Sequence, residues 1–191
     1  MKTTRRIRIA VFAGSNPGLL EDYASAAVDL GSALVAHGCS LVYGGAAVGV
    51  MGAVADAVLG QGGEVIGVIP AHLAAKEVAH HGLTQLQIVD SMHERKRVMH
   101  ELSDGFVALP GGLGTLDELF ESLTWLQLGL HRKPCGLLNV AGYFDRLLAF
   151  LDHAVDQGFV ADDYRARLIC AADVRTLLTE LQCQLNMEPG R

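Results

Sequence analysis

The stretch Gly105-Phe106-Val107-Ala108-Leu109-Pro110-Gly111-Gly112-Leu113-Gly114-Thr115-Leu116-Asp117-Glu118 reads as a strand, a glycine loop and the opening of a helix. Its first five residues are almost wholly apolar, as in a strand covered on both faces. Beyond the loop an amphipathic pattern predicts a helix over about 115–128. Gly111, Gly112 and Gly114 let backbone N–H groups crowd around an anion where the helix dipole is positive. Thr115 can add a hydroxyl, and Glu118 follows one helical turn later. The stretch is therefore the opening of a βαβ unit and a candidate phosphate cradle with a carboxylate beyond it.

The same alternation extends in both directions. Strand-like runs are expected near 7–12, 40–43, 64–69, 85–89, 105–109, 134–138 and 168–171. Helices are expected near 21–37, 51–61, 92–102, 115–128, 143–157 and 174–185. Strands alternating with helices imply a parallel sheet covered on both faces. The expectation is an α/β, Rossmann-like doubly wound parallel sheet in one three-layer α/β/α domain spanning 1–191, with no repeat or linker. Ligands of such sheets bind beyond the carboxyl ends of the strands, near a topological switch point. Three strands here end in glycine-rich loops, after Phe12, Tyr43 and Leu109. None has the G-x-G-x-x-G fingerprint with its acidic partner, so bound NAD is not expected.

At 191 residues the chain can bury a sizeable core. Half of it is hydrophobic and 19% is charged, which favours a folded protein over a disordered one. A formal net charge of −6 argues against a broad nucleic-acid surface. Positive charge is local instead, at Arg95-Lys96-Arg97 and Arg132-Lys133, a pattern suited to a small anion. Cys39, Cys135, Cys170 and Cys183 contain no CxxC pair and read as buried thiols of a reducing compartment. The apolar run after the basic 1–6 segment stops at Gly14, too soon for a signal core or a membrane span. A cytoplasmic setting without membrane attachment is expected.

Each prominent residue also has a plainer reading. The glycine loop could be only a tight strand-to-helix turn. Thr115-Leu116-Asp117-Glu118 fits the capping-box pattern, in which Glu118 would fold back onto the helix start. In Ser91-Met92-His93-Glu94-Arg95-Lys96-Arg97-Val98-Met99-His100, helical spacing puts Met92, Arg95, Met99 and Leu102 near one face, while Lys96 and Arg97 turn away. A cation on an apolar face needs an anion or an internal carboxylate. His93 and His100 are too far apart for a helical metal pair and His80-His81 diverge, so no metal site is expected. The helix near 115–128 carries Leu119, Phe120, Leu123, Trp125 and Leu126, more apolar surface than one core face needs. It is either fully covered by the core or part of an oligomer interface.

These motifs resemble those of the LONELY GUY (LOG) family, cytokinin riboside 5′-monophosphate phosphoribohydrolases often labelled lysine decarboxylases. Pro110-Gly111-Gly112-Leu113-Gly114-Thr115-Leu116-Asp117-Glu118 matches P-G-G-x-G-T-x-x-E, and Met92-His93-Glu94-Arg95-Lys96 matches M-H-x-R-K. Phe12-Ala13-Gly14-Ser15, Tyr43-Gly44-Gly45 and Thr124-Trp125-Leu126-Gln127-Leu128-Gly129 resemble other family stretches. Leu113, Asp117 and Ala46 depart from the frequent Tyr, Glu and Gly. The resemblance implies a catalytic pair, Arg95 and Glu118. It implies substrate contacts at Gly14, Ser15, Gly44, Gly45, Glu77, Lys96, Gly111, Gly112, Leu113, Gly114, Thr115, Leu116, Asp117 and Thr124.

The implied reaction is hydrolysis of AMP or an N6-modified AMP to free base and ribose 5-phosphate, without metal or organic cofactor, in a homodimer. The rival expectation on the same fold is a non-catalytic nucleotide or molybdenum-cofactor carrier. A lysine decarboxylase would need a pyridoxal phosphate lysine, and Lys2, Lys76, Lys96 and Lys133 carry no independent sign of that role.

Overall fold

The computed structural model describes residues 6–74 and 79–187. Seven parallel strands form one sheet: β1 (Arg8–Phe12), β2 (Ser40–Tyr43), β3 (Val65–Pro70), β4 (Gln85–Val89), β5 (Gly105–Ala108), β6 (Cys135–Leu138) and β7 (Leu168–Ala171). Their order is β4-β3-β2-β1-β5-β6-β7. The chain steps outward from β1 to β4, returns to the middle, and steps outward again through β7. The switch point lies between β1 and β5, where Ile9 pairs with Gly105 and Phe12 with Ala108.

The period-two alternation of strand side chains separates two cores. Ile9 and Val11 face α1 (Glu21–Ala36), α2 (Gly49–Gly60) and α8 (Val174–Met187), meeting Leu30, Val54 and Leu177. Ala10 and Phe12 face α4 (Met92–Leu102), α5 (Leu113–Gln127) and α6 (Asp145–Asp156), with Met99, Leu119 and Leu151. The three layers and the doubly wound order are those expected from the sequence. A single turn, α3 (Ala71–Leu73), follows β3.

Three local expectations change. First, α5 begins at Leu113, with Gly112 in extended conformation as its N-cap and no side-chain cap. Thr115 is therefore already inside the first turn and Glu118 cannot close a capping box. A related device sits on α4: the N-cap Ser91 Oγ accepts from Glu94 N–H at 3.1 Å, and Glu94 accepts from the N–H of Asp90, one residue before the cap, at 2.9 Å. Second, α7 (Asp162–Arg167) was not expected. It is a short helix whose acids lead and arginines trail, matching the dipole rather than any apolar period. Third, only Cys39 and Cys135 are buried; Cys170, on the edge strand β7, and Cys183, on α8, are exposed. None of the four is joined in a disulfide. Among the described residues, no helix is long and apolar enough to cross a membrane.

Candidate functional site

The three glycine loops converge at the switch point through the backbone of Gly14. Its N–H donates to Pro110 O at 3.1 Å, and its carbonyl accepts from Met51 N–H at 3.2 Å. The loop after β1 is thereby bonded to the loop after β5 and to the start of α2. Space forbids side chains at these crossings. A Cβ on Gly111 would strike Thr115 and the Gly14 backbone, and one on Gly49, at φ 63°, would strike the Ser15 backbone.

Together the loops enclose a cleft of about 750 Å³. Gly14, Ser15, Gly44, Arg95, Gly111, Gly112, Leu113, Gly114, Thr115, Asp117 and Glu118 all line it. Leu113 is 87% exposed at its rim. The first turn of α5 points its unbonded N–H groups into the loop region, where the dipole adds partial positive charge.

Arg95 is 8% exposed. Its guanidinium donates to Gly44 O at 3.2 Å and reaches Met92 Sδ at 3.8 Å, leaving Nε buried without a partner. A Cβ at Gly44 would occupy the guanidinium's place, so this glycine is what allows the arginine to lie across the loop. A buried donor without an acceptor is costly and favours any ligand oxygen or nitrogen that supplies one.

Glu118 is 9% exposed, and burial pushes its carboxyl from 4.5 up to about 7. The Arg95 charge pulls in the opposite direction, as does Lys96 more weakly, while Asp117 and Glu121 add to the rise. A carboxyl held there exchanges its proton near neutrality, which suits acid–base work.

Lys96 departs from the expectation that it turns away from the packed face. It is 9% exposed, and its ammonium donates to Asp117 at 3.0 Å and sits 3.1 Å from Glu121. The reason is that α5 covers this flank of α4 as well as the sheet-facing one. Burial alone would lower the ammonium's pKa, but the two carboxylates outweigh it and leave it raised. Lys96 thus lies against the Asp117–Glu121 stretch of α5 rather than in the cleft lining. Arg97 is exposed as expected, pairing with Glu94 and Glu101.

Other implied contacts are not gathered in. Gly45 packs behind the loop against Ile69 and Leu86 and gives its carbonyl to His80 N–H. Leu116 packs against the core, and Thr124 is exposed far along α5. Glu77 lies outside the described residues. The sequence reading missed Tyr23 and Tyr143, which form part of the cleft wall. Neither belongs to a glycine motif; one starts α1 and the other follows β6.

Behind α5 lies a second polar cluster. Ser122 Oγ donates to Glu118 O at 2.8 Å and so accepts from His100 Nε2 at 3.1 Å. Among the described residues no group of three or more His, Cys, Asp or Glu side chains could hold a metal ion.

Comparison with known proteins adds independent findings. A family model described as possible lysine decarboxylase matches residues 51–181. A probable cytokinin riboside 5′-monophosphate phosphoribohydrolase of Oryza sativa subsp. japonica is 51% identical over 92% of this chain and 77% of its own. The cytokinin riboside 5′-monophosphate phosphoribohydrolase of Rhodococcoides fascians is 47% identical over 91% of this chain and 88% of its own. Among solved structures, the molybdenum cofactor carrier protein of Chlamydomonas reinhardtii superposes with a TM-score of 0.72 at 23% identity, covering 95% of this chain and 99% of that one. At that identity the likeness concerns the fold.

Proposed function

The chain belongs to the LOG family, and we propose that its cleft hydrolyses the N-glycosidic bond of a nucleoside 5′-monophosphate carrying adenine or an N6-modified adenine. The products are the free base and ribose 5-phosphate. One observation carries the site assignment: Arg95 and Glu118, from different helices, line a single cleft whose floor is the glycine loop at the start of α5.

In this reading the 5′-phosphate sits against Gly111–Thr115, where free N–H groups and the dipole meet. Glu118 follows five residues after the helix start, about 7.5 Å along the axis at 1.5 Å per residue. The carboxyl can then address the ribose while the phosphate stays anchored. Cleavage builds positive charge on the sugar ring, and ionised Glu118 stabilises it or takes a proton from the attacking water. Arg95 has an unused donor for ribose, phosphate or departing base. Binding at the phosphate fixes the reacting geometry, so a substrate without phosphate loses turnover as well as affinity.

Lys96 acts from below, holding Asp117 and Glu121 in place. The exposed Leu128 and Leu130, each 67% accessible, extend the apolar side of α5 and support a homodimer in this reading. A cytoplasmic setting fits four cysteines that form no disulfide.

The test is chromatography of base released from AMP, isopentenyl-AMP, GMP and CMP, with adenosine as the phosphate-free control. Base is expected from an adenine monophosphate and none from adenosine. Arg95→Ala and Glu118→Ala should each lower the rate at least about 10²-fold. Base release surviving in both variants would remove the pair from the mechanism, and ligand binding without turnover would point to a carrier. Light scattering at micromolar concentration should give a dimer; a monomer overturns that assignment.

A further inference from the structure

The outer wall of the cleft is an aromatic pair. Tyr23, in the first turn of α1, and Tyr143 meet edge-on, with ring centroids 5.6 Å apart and planes at 77°. The Tyr143 hydroxyl donates to the carbonyl oxygen of Gly111 at 2.6 Å. The tyrosine thus touches the very loop that opens α5.

The turn delivering it is tightly held. Asn139 Oδ1 accepts from Phe144 N–H, and Asn139 Nδ2 donates to Asp145, both at 2.7 Å. Between them Ala141 takes φ 50° and ψ 31°, the one positive φ outside glycine among the described residues. A Cβ in that region is strained, and such strain persists only where the surroundings impose it. The next residue after the tyrosine, Phe144, is 1% exposed and anchors the turn in the core.

The consequence follows from the peptide plane. In a trans peptide the carbonyl of one residue and the N–H of the next point in opposite directions. No described peptide is cis. With the Gly111 carbonyl held by Tyr143, the Gly112 N–H is turned away from the tyrosine. Gly112 has open space where a side chain would be, and neither glycine carries a Cβ to raise the barrier to rotating the peptide between them.

We infer that Tyr143 is a positioning residue of the anion cradle: its hydroxyl fixes the Gly111–Gly112 peptide so that the Gly112 N–H is presented to the 5′-phosphate. This rests on the placement of the phosphate at the start of α5 proposed above.

Tyr143→Phe isolates the hydroxyl, because the ring pair with Tyr23 is retained. Adenine release from AMP is measured by chromatography, and binding of ribose 5-phosphate and of adenine by calorimetry. The KM for AMP and the Kd for ribose 5-phosphate should each rise about five-fold, the scale of one hydrogen bond. The kcat should change less than about two-fold, and the Kd for adenine should stay as in the wild type. Asn139→Ala, which frees the turn, should move the same two constants in the same direction. Unaltered ribose 5-phosphate binding in Tyr143→Phe overturns the role, and so does equal weakening of adenine, which would mean general loosening. If the wild type neither binds ribose 5-phosphate nor releases adenine, the hydrolase reading itself fails. If the wild type does both and Tyr143→Phe matches it, only the tyrosine's role falls.

Discussion

Glu118 and His100 are joined through one hydroxyl, that of Ser122, and are buried by the same pair of helices, yet they live in opposite surroundings. Burial drives both toward their neutral forms. Glu118 rises to about 7 and His100 falls to about 3. Around His100 nothing resists the drift. Phe106 and Trp125 pack tilted against its ring, with centroids 4.5 Å and 4.4 Å away, and the charges of His131, Lys133 and Lys96 push the same way. Glu118 instead opens on a cleft and has Arg95 opposing its shift. The difference between a packed polar group and a chemically usable one is here an opening and a counter-charge, not the degree of burial.

The sharpest way to break the comparison is at His100. Its lowered value means that the neutral ring stabilises the fold above pH 6.5, and that this contribution is lost as pH falls toward 3. Allowing for partial screening, the loss should reach about 3 kcal/mol at 1.36 kcal/mol per unit. His100→Gln keeps an N–H for Ser122 and should flatten the acid limb of stability, read by urea unfolding at pH 7 and pH 4. Parallel losses in variant and wild type would assign acid lability elsewhere.

The second prediction has the opposite sign. A raised carboxyl leaves stability intact below about pH 4.5 and removes it as pH climbs through about 7. Glu118→Gln should therefore be about 2 kcal/mol more stable than the wild type at pH 8 and nearly equal at pH 4. Thermal melts at the two values check it, and equal melting at pH 8 would mean that the carboxyl is not strained by burial.

The smallest effect tunes the contrast. Lys96 is one of the charges holding Glu118 down. Lys96→Met should move the acid limb of kcat/KM upward by about half a unit from its position near pH 7. An unmoved profile would show that Asp117 and Glu121 absorb the whole of the lysine's charge.

Much of this was legible in the chain. The strand–helix alternation and the near-continuous apolar strands foretold the sheet, and the glycine runs marked three loops that do meet. Arg95 stood out as a cation on an apolar face, and it lines the cleft. What stayed hidden depends on tertiary contact. Lys96 is buried because α5 covers a second flank of α4, which a helical wheel of one segment cannot show. The onset of α5 is set by the extended Gly112 rather than by the hydroxyl of Thr115, so the capping pattern misled. The six-residue α7 is too short for a periodic signal. Tyr143 reaches Gly111 across 32 residues of sequence, with no motif linking them.

The strand order also carries a consequence for how the molecule is made. The neighbours at the centre of the sheet are joined early in space but late in synthesis: the Arg8 N–H bonds to Asp104, 96 residues downstream. A growing chain that ends before β5 holds two of the three loops, with β1 left as an unpaired edge. It also lacks Glu118. A nascent fragment of that kind lacks the Gly111–Thr115 wall of the cleft as well, so the cleft is completed only by a long-range contact that folds slowly by its nature. Placing the cleft at the seam between the outgoing and returning halves of the chain leaves it open-sided until folding is all but complete.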